Sequence, residues 1–98
     1  MKAVKIADKI MIFLVKQFVE TGHEYTSLDI LCDLFPDEPR HMVVAAINML
    51  RDDDLLEAQD SDDEPNAICL CIASVKKVEE NTVIRKGYAF LKEVRQLL

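Results

Sequence analysis

The sequence predicts one mainly helical α+β domain: three helices, a two-stranded hairpin and a closing helix. Apolar residues recur at helical spacing through residues 3–20 and again through 40–52. After Asp54 the apolar period shortens to that of a strand. The chain has 98 residues, half of them hydrophobic and only 2 of them glycine, which fits a single ordered core spanning 1–98.

On the first helix, residues 3–20, the stripe Ala3, Ile6, Ala7, Ile10, Met11, Phe13, Leu14 and Phe18 forms the core face. Gly22 reads as its stop, and Gln17 is the one stripe residue that fits badly. Thr26 with Asp29 resembles a capping box for a short helix carrying Leu28, Leu31, Leu34 and Phe35, which ends before Pro36. A third helix is expected from Asp37 or Glu38 to about Asp52, with Pro39 in its first turn. Its core side is Met42, Val43, Ala46, Ile47, Met49 and Leu50; its outer side is Arg40, His41, Val44, Ala45, Asn48 and Arg51. Leu55 to Gln59 and Ala67 to Ser74 read as hairpin strands joined by an exposed turn, Asp60 to Asn66. Alternation along the second strand makes both its faces look water-excluded, with Ile68, Leu70 and Ile72 on one and Cys69 and Cys71 on the other. The last helix runs from Asn81 or Thr82 to Leu98, with Gly87 as an unfavourable interior residue.

This element order, with the run AAINMLRDDDLLEA, resembles the winged-helix family. Ala46, Leu50, Leu55, Leu56 and Glu57 match the family's passage from recognition helix to strand. Thr82, Lys86, Gly87, Phe90 and Leu91 match the closing "T-x-K-G-x-x-x-L" helix of small bacterial and phage regulators. The resemblance covers nearly the whole chain and rests on packing patterns, which speak to fold more than to function. It implies that the third helix is the recognition helix, with Arg40, His41, Asn48 and Arg51 as the candidates for DNA contact.

Charge opposes that use. The net charge of −6 divides into about +3 over residues 1–19, about −12 over 20–66 and about +3 over 67–98. Asp52, Asp53 and Asp54 follow the third helix, and Asp60, Asp62, Asp63 and Glu64 fill the tip where the family's wing normally presents Arg or Lys, so phosphate would be repelled there. The reading favoured by this pattern is a regulatory interaction module that binds a basic protein partner through an acidic wing and the rim of the third helix. A dimeric DNA-binding transcription regulator is the alternative, and a merely solvated acidic face is the plain one.

Lys2, Lys5, Lys9 and Lys16 share a narrow arc of the first helix: a solvated face, a surface for an acidic partner, a second copy included, or a contact to phosphate away from the third helix. Ile12, Val15 and Val19 form a second apolar side, and with Phe90 and Leu97 they are candidate contacts of a homodimer; packing within one chain is the other reading.

Three cysteines, Cys32, Cys69 and Cys71, suit a reducing cytoplasm better than a disulfide framework. Neither the cysteines with His23 and His41 nor Asp60, Asp62 and Glu64 have metal-site spacing, so no metal or cofactor is expected. No constellation suggests an enzyme. The apolar run Ile10 to Val15 is too short for a signal peptide, and no stretch is long enough to span a membrane.

Overall fold

The computed structural model describes residues 1–73 and Gln96. The expected closing helix, with Phe90 and Leu97, lies outside the described residues apart from Gln96, and so does the end of the expected second strand at Ser74. Among the described residues the chain is α+β: helix α1 (Ala3–Thr21), strand β1 (Tyr25–Ser27), helices α2 (Leu28–Asp33) and α3 (Arg40–Asp52), and strands β2 (Leu56–Ser61) and β3 (Glu64–Leu70). The strands form one antiparallel sheet in the order β1-β3-β2.

The apolar stripe of α1 is buried as its period requires, with Ile6, Ala7, Ile10 and Met11 fully inaccessible. The helix stops at Gly22, whose φ of 79° is left-handed and whose N–H donates to the Phe18 carbonyl at 2.8 Å. Gln17 explains its misfit: its Nε2 donates to the Tyr25 carbonyl at 3.1 Å and so ties the helix to β1. On the second apolar side, Val15 belongs to the core at 0% exposure, as packing within one chain would have it, whereas Val19 is 47% exposed.

The hairpin expectation is corrected in three places. The second strand ends at Leu70, and β1 pairs with its far side through Tyr25↔Cys69, Thr26↔Ile68 and Ser27↔Ala67. Three residues are too few for a strand period to be read in the sequence. The residue capping α2 is therefore Ser27, whose Oγ accepts from the Ile30 N–H at 3.3 Å, while Thr26 lies in β1 with its hydroxyl buried and unpartnered. The expected turn over Asp60 to Asn66 shrinks to Asp62 and Asp63, both left-handed with φ of 54° and 64°, as a two-residue hairpin turn of this hand requires. Pro65 is accommodated inside β3 because pairing with β1 begins only at Ala67, so no neighbour on that side needs its missing N–H.

The sheet buries one face, with Leu56, Ile68 and Leu70 each almost inaccessible, against α1, α2 and α3. The opposite face is more open than expected, since Ala67 is exposed and Cys69 and Cys71 only half-buried. Helix α3 starts at Arg40 with Pro39 just outside it, and seats Val43, Ala46, Ile47 and Leu50 in the core. Met42 and Met49 are only partly buried at its margins, and Leu34, expected inside, is 41% exposed just past the end of α2.

Candidate functional site

Of the candidate residues, Arg40, Asn48, Arg51, Asp60 and Glu64 meet where the hairpin crosses the outer side of α3. Arg40 and Arg51 are eleven residues apart, which returns to nearly the same side of a helix, about 20° away at 100° per residue. Both guanidinium groups turn towards the hairpin. Arg40 Nε donates to Glu64 Oε2 at 3.0 Å and its Nη2 donates to Oε1 at 3.2 Å, a two-pronged pair. Its Nη1 donates to Asp29 Oδ1 at 3.2 Å and reaches Cys32 Sγ at 3.9 Å. The hydrogen bonds to Glu64, and after them that to Asp29, raise the Arg40 pKa above its ordinary value.

Arg51 closes the other end. Its Nη1 and Nη2 both donate to Asp60 Oδ1 at 3.2 Å, and Nη1 also donates to Oδ2 at 3.2 Å. Nη2 donates to Asn48 Oδ1 at 2.6 Å, and Nη1 to the Ala58 carbonyl of β2 at 3.5 Å. Three of the four candidates for DNA contact are thus in hydrogen bonds within the domain, and only His41 stands exposed outside this network. The guanidinium groups of Arg40 and Arg51, planar donors that would otherwise fork onto phosphate, are already engaged by carboxylates.

The seven acids expected to act as one surface divide three ways. Asp60 and Glu64 neutralise the arginines. Asp53 is buried at 8% exposure beneath the end of α3, with Oδ2 unpartnered, so it is not a surface residue of the rim. Asp52, Asp54, Asp62 and Asp63 remain exposed. Three of these four, Asp54, Asp62 and Asp63, adopt positive φ, a conformation that glycine makes at less cost. Asp29 is a site residue that the sequence did not offer as one, because nothing in its spacing links it to Arg40.

The basic stripe of α1 is the opposite case. Lys5, Lys9 and Lys16 are exposed on the helix, Lys2 just before it, and none is ion-paired among the described residues. Met1, Lys2, Lys5, Lys9 and Met42 line an open groove of about 790 Å³. Half-buried Ile12 and exposed Val19 lie along the edge of the same face.

A second shallow groove, about 510 Å³, runs over the open face of the sheet between Tyr25, Glu57, Gln59 and Cys69. Burial raises the pKa of the Cys32, Cys69 and Cys71 thiols above the ordinary value of 9.0, and all three cysteines are free. Among the described residues no three His, Cys, Asp or Glu side chains gather as metal ligands, and no helix is long and apolar enough to cross a membrane. No protein-family model, no curated protein and no solved structure matches this chain.

Proposed function

We propose that this chain is a small winged-helix regulatory module that binds a basic protein surface through the acidic hairpin and the adjoining end of α3. The observation that carries the reading is the pair of clamps Arg40–Glu64 and Arg51–Asp60. They engage the cations of α3 that DNA would need, and leave Asp52, Asp54, Asp62 and Asp63 exposed around the hairpin without an ion pair among the described residues. Three helices followed by a hairpin, the run Ala46 to Glu57, and the tail with Thr82, Lys86 and Gly87 support the winged-helix assignment. The function is binding rather than catalysis. Free thiols support a reducing, cytoplasmic setting.

Fluorescence anisotropy with an oligo-arginine peptide and with random-sequence duplex DNA tests the proposal. The peptide should bind at about 0.1 M salt, weaken at about 1 M, and lose affinity when Asp52, Asp54, Asp62 and Asp63 are changed to Asn. Tight, sequence-specific duplex binding that disappears on Arg40→Ala or Arg51→Ala would install the DNA-binding regulator in its place.

A further inference from the structure

We infer that the basic surface recognised by the acidic hairpin is carried by a second copy of this chain, on the lysine face of α1. This rests on the proposed function and names the partner of that same site. Among the described residues, charge is left without an ion pair on two sides of the domain. Every cation on α3 that could neutralise the hairpin is held by Asp60, Glu64 or Asp29, so the turn carboxylates of Asp62 and Asp63 gain nothing from it. Every lysine of α1 is likewise without an acid among the described residues. Glu38, in the turn two residues before α3, accepts from the Met1 ammonium at 3.1 Å instead.

Shape agrees with charge. Lys2 to Lys16 covers roughly 21 Å of helix at 1.5 Å per residue, and Lys5, Lys9 and Lys16 fall within an arc of about 40°. Lysine stems and two methionines wall the groove at one end of this face, so a narrow two-residue turn could place its carboxylates among ammonium groups while its backbone meets apolar walls. Glu20 lies on that side of α1 at the end away from the groove, and Asp8, three residues from Lys5, lies towards its Ile12 and Val19 edge. The turn itself is made from Asp-Asp where Asn-Gly would form the same conformation with less strain. The two residues that incur this strain are those that project the charge. Used reciprocally, the contact occurs twice and closes a pair, with Ile12 and Val19 at its margin. It differs from the expected pairing of α1 with the closing helix in what it buries: opposite charges rather than two apolar faces.

Sedimentation velocity of the full chain is the test. Reversible association should appear at about 0.1 M salt and vanish near 1 M, where the screening length falls from about 10 Å to about 3 Å. Lys5→Glu with Lys9→Glu should weaken association at least about tenfold, as like charges meet at the contact. Asp62→Lys with Asp63→Lys should do the same, and an equimolar mixture of the two double variants should associate again. Should the turn reject lysine, Asp62→Asn with Asp63→Gly keeps the turn geometry and should also abolish association, with the fold checked by thermal melting. A full chain that stays monomeric at low salt overturns the inference, as does association indifferent to Lys5→Glu with Lys9→Glu. If the monomeric chain still binds the oligo-arginine peptide through Asp62 and Asp63, the proposed function stands and only the second copy is lost. If it binds neither, both readings fall. Binding of duplex DNA or anionic vesicles that requires Lys5 and Lys9, without self-association, assigns the stripe to phosphate and overturns the inference.

Discussion

Helices α1 and α3 each present one face to a common core and one charged face away from it, yet the two charged faces behave oppositely. On α3 the arginines are drawn in by Glu64, Asp29 and Asp60, and the face that a recognition helix would offer to a groove is closed by the hairpin. On α1 no carboxylate among the described residues reaches the lysines. Positive residues in a sequence are therefore not equivalent as binding groups. Arginine beside a hairpin of matching charge is a structural fastener, because its rigid fork is satisfied by one carboxylate in two places. Lysine on a helix face without such a neighbour stays available.

The comparison depends first on which side of α1 is outside, and Val15 and Val19 decide that with the largest expected effect. Val15→Glu would bury an unpaired charge and should cost about 4 kcal/mol or more in urea unfolding, whereas Val19→Glu should stay within about 0.5 kcal/mol. Equal costs would mean that the lysine face is misassigned. Next, Asp60→Asn combined with Glu64→Gln removes the hairpin's charge from both guanidinium groups while keeping side-chain size, and leaves Arg40 its Asp29 contact and Arg51 its contacts to Asn48 and the Ala58 carbonyl. Nonspecific duplex DNA binding measured by anisotropy at low salt should then rise about tenfold, and unchanged binding would show that the hairpin does not close α3.

Removing the cations themselves sharpens the contrast at lower amplitude. Arg51→Ala loses the Asp60 pair, the Asn48 contact and the hydrogen bond to the Ala58 carbonyl of β2, and should cost about 1 kcal/mol. Lys9→Ala should cost less than about 0.5 kcal/mol; a loss as large as that of Arg51 would mean that Lys9 has a partner of its own. The smallest effect concerns the thiols around these faces. Because burial raises their pKa in the folded chain, the folded state keeps those protons after the unfolded state has released them, and this contribution to stability diminishes as pH rises from the ordinary 9.0 through the folded values. Urea midpoints at pH 8 and pH 10 should fall less for Cys71→Ala than for the unmodified chain; an identical fall would deny the thiol any part in it.

Much of the fold was legible because burial imposes a period. The stripe from Ile6 to Leu14, Val43 to Leu50 on α3, and the change of period after Asp54 each follow from one element facing one core. Gln17 was legible as a misfit, and its bond to Tyr25 gives the reason. Strand β1 was not, since Tyr25 to Ser27 become a strand only by lying against Cys69 to Ala67. The cap at Ser27 in place of Thr26 follows from that pairing, which claims Thr26 for the sheet.

At the candidate site, the sequence by itself determined the inventory: an acidic centre, two outward arginines on one side of α3, and a lysine stripe on α1. Local periodicity suffices for this, because residues on one helix have positions fixed relative to one another. Only the tertiary structure decided which charges cancel. Arg40 meets Glu64 twenty-four residues away and Asp29 eleven residues away. Asp53 is buried while Asp52 and Asp54 beside it are exposed, because the chain leaves α3 between them and turns into β2. Charge–charge energy depends on distances across the fold that no local pattern encodes, so the same seven acids became two clamps, one buried carboxylate and four exposed ones.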